Sequence, residues 1–165
     1  MFQLNKSLFM VIKELMNTET ILQQYRALLI GKFLTDLANT TAFLNDYLPD
    51  INWVGFYLLA EDNCLYLGPF QGKVACTTIP LNKGVCGHAA TIKKTVVVDD
   101  VHQFPGHIAC DSRSNSELVI PLIQNGKLLG VLDIDSPTHA RFNNPVEILM
   151  LEKIVEVLLL ANREH

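Results

Sequence analysis

The chain has 165 residues, 49% of them hydrophobic and 18% charged, with a mean hydropathy of +0.23. The charged share lies below the roughly 25% of an average soluble domain, so the chain has apolar material for a compact core and does not read as disordered or low-complexity. Thirteen basic against seventeen acidic side chains give a formal charge of -4 and a pI of about 5.7, which leaves no basic stripe for a nucleic acid backbone.

At the amino terminus, MFQLNKSLFMVIKELMNTE is interrupted by Lys6, Lys13 and Glu14 and is followed by no small-residue cleavage site, so it is not read as a secretory signal. No apolar run approaches the roughly 18 residues of a membrane span. A cytoplasmic location is expected, with no membrane and no nucleic acid as partner. There the four cysteines, Cys64, Cys76, Cys86 and Cys110, are not permanent staples. The stretch before Thr20 reads as a weakly amphipathic arm, residues 1–19, preceding one domain over residues 20–165. Thr20-Ile21-Leu22-Gln23 has the form of a capping box, and Leu22, Tyr25, Leu29, Phe33, Leu37 and Leu44 fall on one side of a helix from about Thr20 to Tyr47, bent at Gly31 and ended by Pro49.

From Ile51 the period becomes two. Ile51 to Leu58 and Cys64 to Leu67 form a hairpin about Glu61-Asp62-Asn63, and Val74 to Ile79 adds a strand. A turn at Asn82-Lys83-Gly84 leads into a short helix, Val85 to Lys93, and Thr95 to Val98 returns to strand. The polar stretch Val101 to Asn115 has no usable period, and a loop of that length in a compact domain is usually functional. Asn125-Gly126 joins Leu118 to Ile123 with Lys127 to Ile134 as an antiparallel hairpin. Asn144, Pro145 and Glu147 open a closing helix from Pro145 to about Ala161. The order describes an α+β fold, a central and mainly antiparallel sheet flanked by helices.

Two sets of residues carry chemistry. Cys86, in Gly84-Val85-Cys86-Gly87-His88, opens a helix whose dipole favours a thiolate, although a small buried hydrophobe is an equal reading. Cys110 sits in the long loop, where burial is hard to arrange and His107 and Arg113 lower a thiol pKa, so a functional thiol is favoured. Cys76, mid-strand, and Cys64, at a strand start, read as structural. A zinc set of Cys86, His88, His107 and Cys110 matches no known ligand spacing, so no metal is expected and dithiol redox chemistry fits better.

Asp133 and Asp135, two apart on a strand, share a face, and two carboxylates on a core strand require a polar cavity. With a bare two-residue turn at Asn125-Gly126, Glu117 faces Ile134 and lies on the other side of the sheet. One extra residue in the hairpin, which Pro121 favours, places Glu117 opposite Asp135, and this register is preferred. Three clustered carboxyls then raise one another's pKa, leaving at least one protonated near neutrality as a general acid. Trp53 and Tyr57 share a face that Phe56 does not, and such a pair can wall a pocket for an apolar methyl group.

The stretches Leu37 to Ala42, Asn52 to Tyr57, Gly68 to Gly72 with Ala75-Cys76, Gly84 to Gly87, His107 to Cys110, Ser114 to Glu117 and Gly130 to Ser136 together resemble the free methionine-(R)-sulfoxide reductases, enzymes built on the GAF fold. The resemblance runs from about Asp36 to Arg141. It implies free methionine-R-sulfoxide as substrate, Cys110 as attacking thiolate, and Glu117, Asp133 and Asp135 as hydrogen-bonding or protonating groups at the sulfoxide oxygen. It further implies a sulfenic acid on Cys110, condensation with Cys76 or Cys86 to a disulfide, and reduction by thioredoxin within an NADPH-dependent system, with no bound cofactor. Trp53 and Tyr57 would hold the methyl end. Cys76 is favoured as the resolving thiol and Cys86 as a thiol at the pocket, while the residues alone leave open whether Cys86 or Cys110 attacks. The competing class is a GAF-type small-ligand or redox sensor without turnover. The long first helix and the arm form a candidate homodimer surface.

Overall fold

The computed structural model describes residues 6–106 and 111–163. In place of one bent helix there are two, α1 (Lys6–Arg26) and α2 (Phe33–Tyr47). The break is a turn in which Gly31 takes a left-handed φ of 72° and the buried Asp36 carboxylate accepts from the Ile30 and Gly31 N–H groups at 3.0 Å each. Asn162 Nδ2 donates to the same carboxylate at 2.9 Å, tying the turn to the far end of the chain. Thr20 lies inside α1, its hydroxyl donating to the Met16 carbonyl at 3.2 Å. No glycine or proline precedes it to stop the chain from propagating, so the capping-box signal loses and the expected boundary at Thr20 falls within a continuous helix. Among the described residues no helix is long and apolar enough to cross a membrane.

Six strands form one sheet: β1 (Trp53–Leu59), β2 (Cys64–Gly72), β3 (Thr78–Pro80), β4 (Val96–Val98), β5 (Ser116–Gln124) and β6 (Lys127–Ser136). Their order is β3-β2-β1-β6-β5-β4 and every neighbouring pair is antiparallel. Between β3 and β4 lies α3 (Gly84–Ile92), and α4 (Pro145–Ala161) closes the chain with Asn144 capping the Val146 N–H at 3.0 Å. The strand expected over Val74 to Ile79 is reduced to Thr78–Pro80, so Cys76 sits in the β2–β3 connection and not in a strand. β2 runs past Leu67 because Gly68-Pro69 forms a bulge between the pairs Gly55↔Phe70 and Tyr57↔Leu67, a position where the missing proline N–H is tolerated.

The β5–β6 hairpin has the preferred register, with Glu117 opposite Asp135, reached by a two-residue turn plus one bulge between Leu122 and Ile123. The extra residue is Leu129 of β6, next to Gly130, and the bulge does not lie at Pro121. Gly130 has φ 158°, and a side chain there would run into the Tyr57 carbonyl oxygen of β1. Alternation sends Val54, Phe56, Leu118, Ile120, Leu132 and Ile134 to one face, where α1, α2 and α4 cover them with Tyr25, Leu37, Leu44, Leu151, Ile154 and Leu158. The other face carries Trp53, Tyr57, Val119 and Val131 and is covered by the short α3 through Val85, Cys86, Ala89 and Ala90.

Candidate active site

Strand pairing sets the site. Trp53 lies opposite Asp135, Gly55 opposite Asp133 and Glu117 opposite Asp135, so all these residues project from the α3 side of the sheet. Gly55 is bare for a reason. A Cβ there would strike the Trp53 ring and come within 2.5 Å of Phe70 Cβ, so the glycine lets the indole fold flat across the strand. The ring stacks between Phe70, with centroids 5.4 Å apart, and Tyr57, at 5.9 Å. Both polar tips are used. Trp53 Nε1 donates to the Lys73 carbonyl at 3.1 Å, and the Tyr57 hydroxyl donates to the Cys76 carbonyl at 2.9 Å. The aromatic wall therefore fixes the loop that carries Cys76.

Trp53, Tyr57, Val74, Ala75, Asp111, Asp133 and Asp135 line a partly enclosed hollow whose empty space, mouth included, is about 210 Å³. Behind Asp133, Glu117 and Cys86 complete a buried trio, with the Cys86 thiol donating to Glu117 Oε1 at 3.9 Å. Burial, followed by repulsion from Asp133, pushes the Glu117 carboxyl well above the usual range, and the same two effects push Asp135 up. Burial also raises Asp133, whose hydrogen bonds from Cys86 and Glu117 hold the rise to about 6. The three carboxyls titrate together, and at neutral pH the cluster keeps protons to donate. Asp133 Oδ1 is buried with no hydrogen-bond partner, an acceptor at the wall of the hollow.

Asp111, beside the acids, behaves in the opposite way. Arg113 grips it through Nε at 3.2 Å and Nη2 at 2.7 Å, the Arg113 N–H adds a bond at 2.9 Å, and Asn52 Nδ2 adds one at 3.2 Å. These donors, the Arg113 side chain foremost, hold its carboxyl well below the usual range. The site thus keeps one ionised carboxylate at its mouth and a proton-holding trio at its floor.

The residues expected from sequence are largely brought together. Trp53, Tyr57, Asp133 and Asp135 share the hollow, and Glu117 and Cys86 stand behind it. Cys86 does begin a helix, yet its thiol pKa is raised well above the ordinary value, by burial first and the neighbouring carboxyls next. A helix dipole contributes about 0.3–1 kcal/mol, less than the several kcal/mol of desolvating a thiolate, so the expected activation does not occur there. Cys76 is disulfide-bonded, whereas Cys64, at the start of β2, and Cys86 are free thiols. Cys110 and His107 lie outside the described residues. Of the zinc set, Cys86 faces Glu117, and His88 packs edge-on against Phe104 with centroids 5.8 Å apart. Sequence reasoning missed Phe70, Asp111, Asn52 and the task of Gly55. A glycine within an apolar strand was the one readable signal of close approach.

Residues 17–161 match the GAF domain family. The chain is 50% identical over 141 residues to the free methionine-R-sulfoxide reductase of Escherichia coli, an alignment covering 81% of this chain and 85% of that protein. Among solved structures, the reduced form of Staphylococcus aureus fRMsr superposes with a TM-score of 0.84 at 48% identity, covering 88% of this chain and 94% of that one. The Neisseria meningitidis free methionine-R-sulfoxide reductase in complex with its substrate gives 0.83 at 40% identity, covering 89% and 90%. With identities this high over most of each chain, the chain belongs to the free methionine-R-sulfoxide reductase family of GAF-domain proteins.

Proposed function

We propose that the chain reduces free L-methionine-(R)-sulfoxide to methionine by thiol chemistry and is regenerated by thioredoxin. The observation that carries this reading is the single small hollow joining a stacked aromatic wall to a cluster of proton-holding carboxyls. A sulfoxide needs both. Its S-methyl group packs against Trp53 and Tyr57, while its oxygen, which gains negative charge as the sulfur is attacked, meets protonated Glu117, Asp133 or Asp135.

In the step so placed, the Cys110 thiolate attacks the sulfoxide sulfur and the carboxyl cluster protonates the oxygen. The protonated oxygen then passes to the Cys110 sulfur as hydroxyl, breaking the substrate's S–O bond and the new bond between the two sulfurs, which releases methionine and leaves Cys110 as sulfenic acid. The Cys76 thiol then displaces water to form a disulfide, and thioredoxin, oxidised in turn, restores both thiols. Three features support these roles. Asp111, the residue after Cys110, lines the hollow. Cys76 is disulfide-bonded, on a loop held by Tyr57. The Cys86 thiol, buried and protonated, suits hydrogen bonding to Glu117 better than nucleophilic attack.

The test is thioredoxin-coupled NADPH consumption with free L-methionine-R-sulfoxide, with the S epimer and a peptide-bound sulfoxide as controls. Turnover confined to the free R form is expected. Saturable binding of the R form without NADPH consumption would overturn the reductase reading in favour of a sensor.

A further inference from the structure

We propose that Cys86, Glu117 and Asp133 also form a binding site for a thiophilic divalent cation of the zinc class, whose occupancy shuts the hollow to sulfoxide. The inference rests on the reductase reading only in assigning this trio to the sulfoxide oxygen. A sulfur and two carboxylate oxygens, one from each residue, all lie within 4.8 Å of one another, and all three side chains are buried. Tetrahedral zinc with bonds of about 2.3 Å to sulfur and about 2.0 Å to oxygen sets those atoms about 3.5 Å apart. Cys86 Sγ and Glu117 Oε1 are 3.9 Å apart, so that pair closes on an ion by a few tenths of an ångström, and no pair of the three starts more than 4.8 Å apart.

A second observation points to a ligand. Asp133 Oδ1 has no hydrogen-bond partner although Asp133 is only 6% exposed, and Asp133 lines the hollow by which an ion would enter. Three protein ligands leave a fourth position facing that hollow, the arrangement of an open zinc site. Loading is an exchange. The metal forms bonds to sulfur and to the carboxylate oxygens, and the thiol proton and the protons shared by the carboxyls go to solvent, with no change of oxidation state. Burial of two carboxylates and a thiolate side by side is costly without a counter-charge, and a doubly charged ion supplies it.

The probe is Cd²⁺, titrated into the full chain carrying Cys76→Ser and Cys110→Ser, which removes the two cysteines assigned to the redox pair. One equivalent is expected to bind, with an ultraviolet absorption band of cadmium–thiolate charge transfer. Cys86→Ala in that background abolishes the band and Cys64→Ser leaves it. Asp133→Asn keeps the thiol and weakens binding at least about tenfold, the smallest loss seen when even outer-shell groups around a metal are removed. Wild-type enzyme shows inhibition by Zn²⁺ that competes with sulfoxide and reverses with chelator. A band that survives Cys86→Ala, or affinity unchanged by Asp133→Asn, overturns the proposal. Metal-free wild type that turns over sulfoxide but binds no cadmium sinks this inference alone, whereas cadmium binding without any turnover sinks the reductase reading alone.

Discussion

Replacing Asp133 by asparagine should stabilise the protein at neutral and alkaline pH while removing its activity. Burial raises this carboxyl from 3.8 to about 6, so the folded state holds the proton that the unfolded chain gives up. The contribution is therefore fully favourable below the unfolded value of 3.8 and is lost as pH rises through about 6. At about 1.4 kcal/mol per pH unit the rise amounts to about 3 kcal/mol of destabilisation fully developed by pH 8. Glu117 and Asp135 ionise more readily once a neighbour is neutral, so about 1 to 3 kcal/mol is the observable range. With a urea slope of about 2 kcal/mol/M, the midpoint of Asp133→Asn should lie about 0.5 to 1.5 M above wild type at pH 8 and converge with it at pH 4. Asparagine holds no proton to pass to the sulfoxide oxygen, and a positioned general acid typically contributes about 10²–10⁴-fold, so a drop in kcat on that order should accompany the gain. Equal midpoint differences at pH 4 and pH 8, or a variant less stable at pH 8, would refute the account of the cluster as a proton store.

Gly55→Ala puts a methyl group where the Trp53 ring lies, which should destabilise the fold by about 1–3 kcal/mol and raise KM more than it lowers kcat. Trp53 is the single tryptophan, so unchanged emission in that variant would show that the ring had not moved. Cys110→Ser should abolish reduction in a single turnover, whereas Cys76→Ser should release about one methionine per chain and then stall as a sulfenic acid open to trapping by dimedone. Sulfenate that still forms in Cys110→Ser would move the attack to another cysteine. Tyr57→Phe removes the bond to the Cys76 carbonyl, worth about 0.5–1.5 kcal/mol, and should slow disulfide formation while methionine release in the first turnover stays near wild type. Equal slowing of both steps would assign the hydroxyl to substrate instead.

Most of the fold was legible because hydrophobic periodicity and turn chemistry are local. Asn125-Gly126 and the alternation around it locate the β5–β6 hairpin, and Pro121 speaks for the one extra residue that sets Glu117 against Asp135. The place of that bulge was not legible. Pro121 is the visible irregularity, but the extra residue is Leu129, beside Gly130, where β1 approaches from another part of the sequence, a contact no local pattern encodes. The same holds for β2, where Gly68-Pro69 reads as a terminator yet crosses a bulge opposite β1. Cys86 was half legible. Its helix start is local, but the burial and the carboxyls that keep its thiol protonated come from β5 and β6.

Burying a trio of acids next to a thiol is tolerable because the sheet divides its duties by face. One side meets three helices, and its fully buried side chains, Tyr25, Phe56, Leu118, Leu132, Ile134 and Leu151 among them, carry the bulk of the apolar burial. The other side meets the short α3, with Val101 and Phe104 beside it, and Gly87 of α3 lies so near the Pro80 carbonyl, 2.5 Å from any added Cβ, that the helix is held close by the absence of a side chain. At the start of β1 and the end of β6, on the same face, the aromatic wall and the acids line the hollow. Truncating Leu132 to alanine should therefore destabilise by about 2–5 kcal/mol and leave KM near wild type, because the cavity forms on the face away from the hollow. Truncating Val131, its neighbour on the same strand, should cost less stability and disturb KM more, since it supports Tyr57 directly across the pair from β1. The reverse ranking in paired urea and kinetic measurements would mean that the two faces are not independent, and that the helices behind the sheet shape the site as strongly as α3 does.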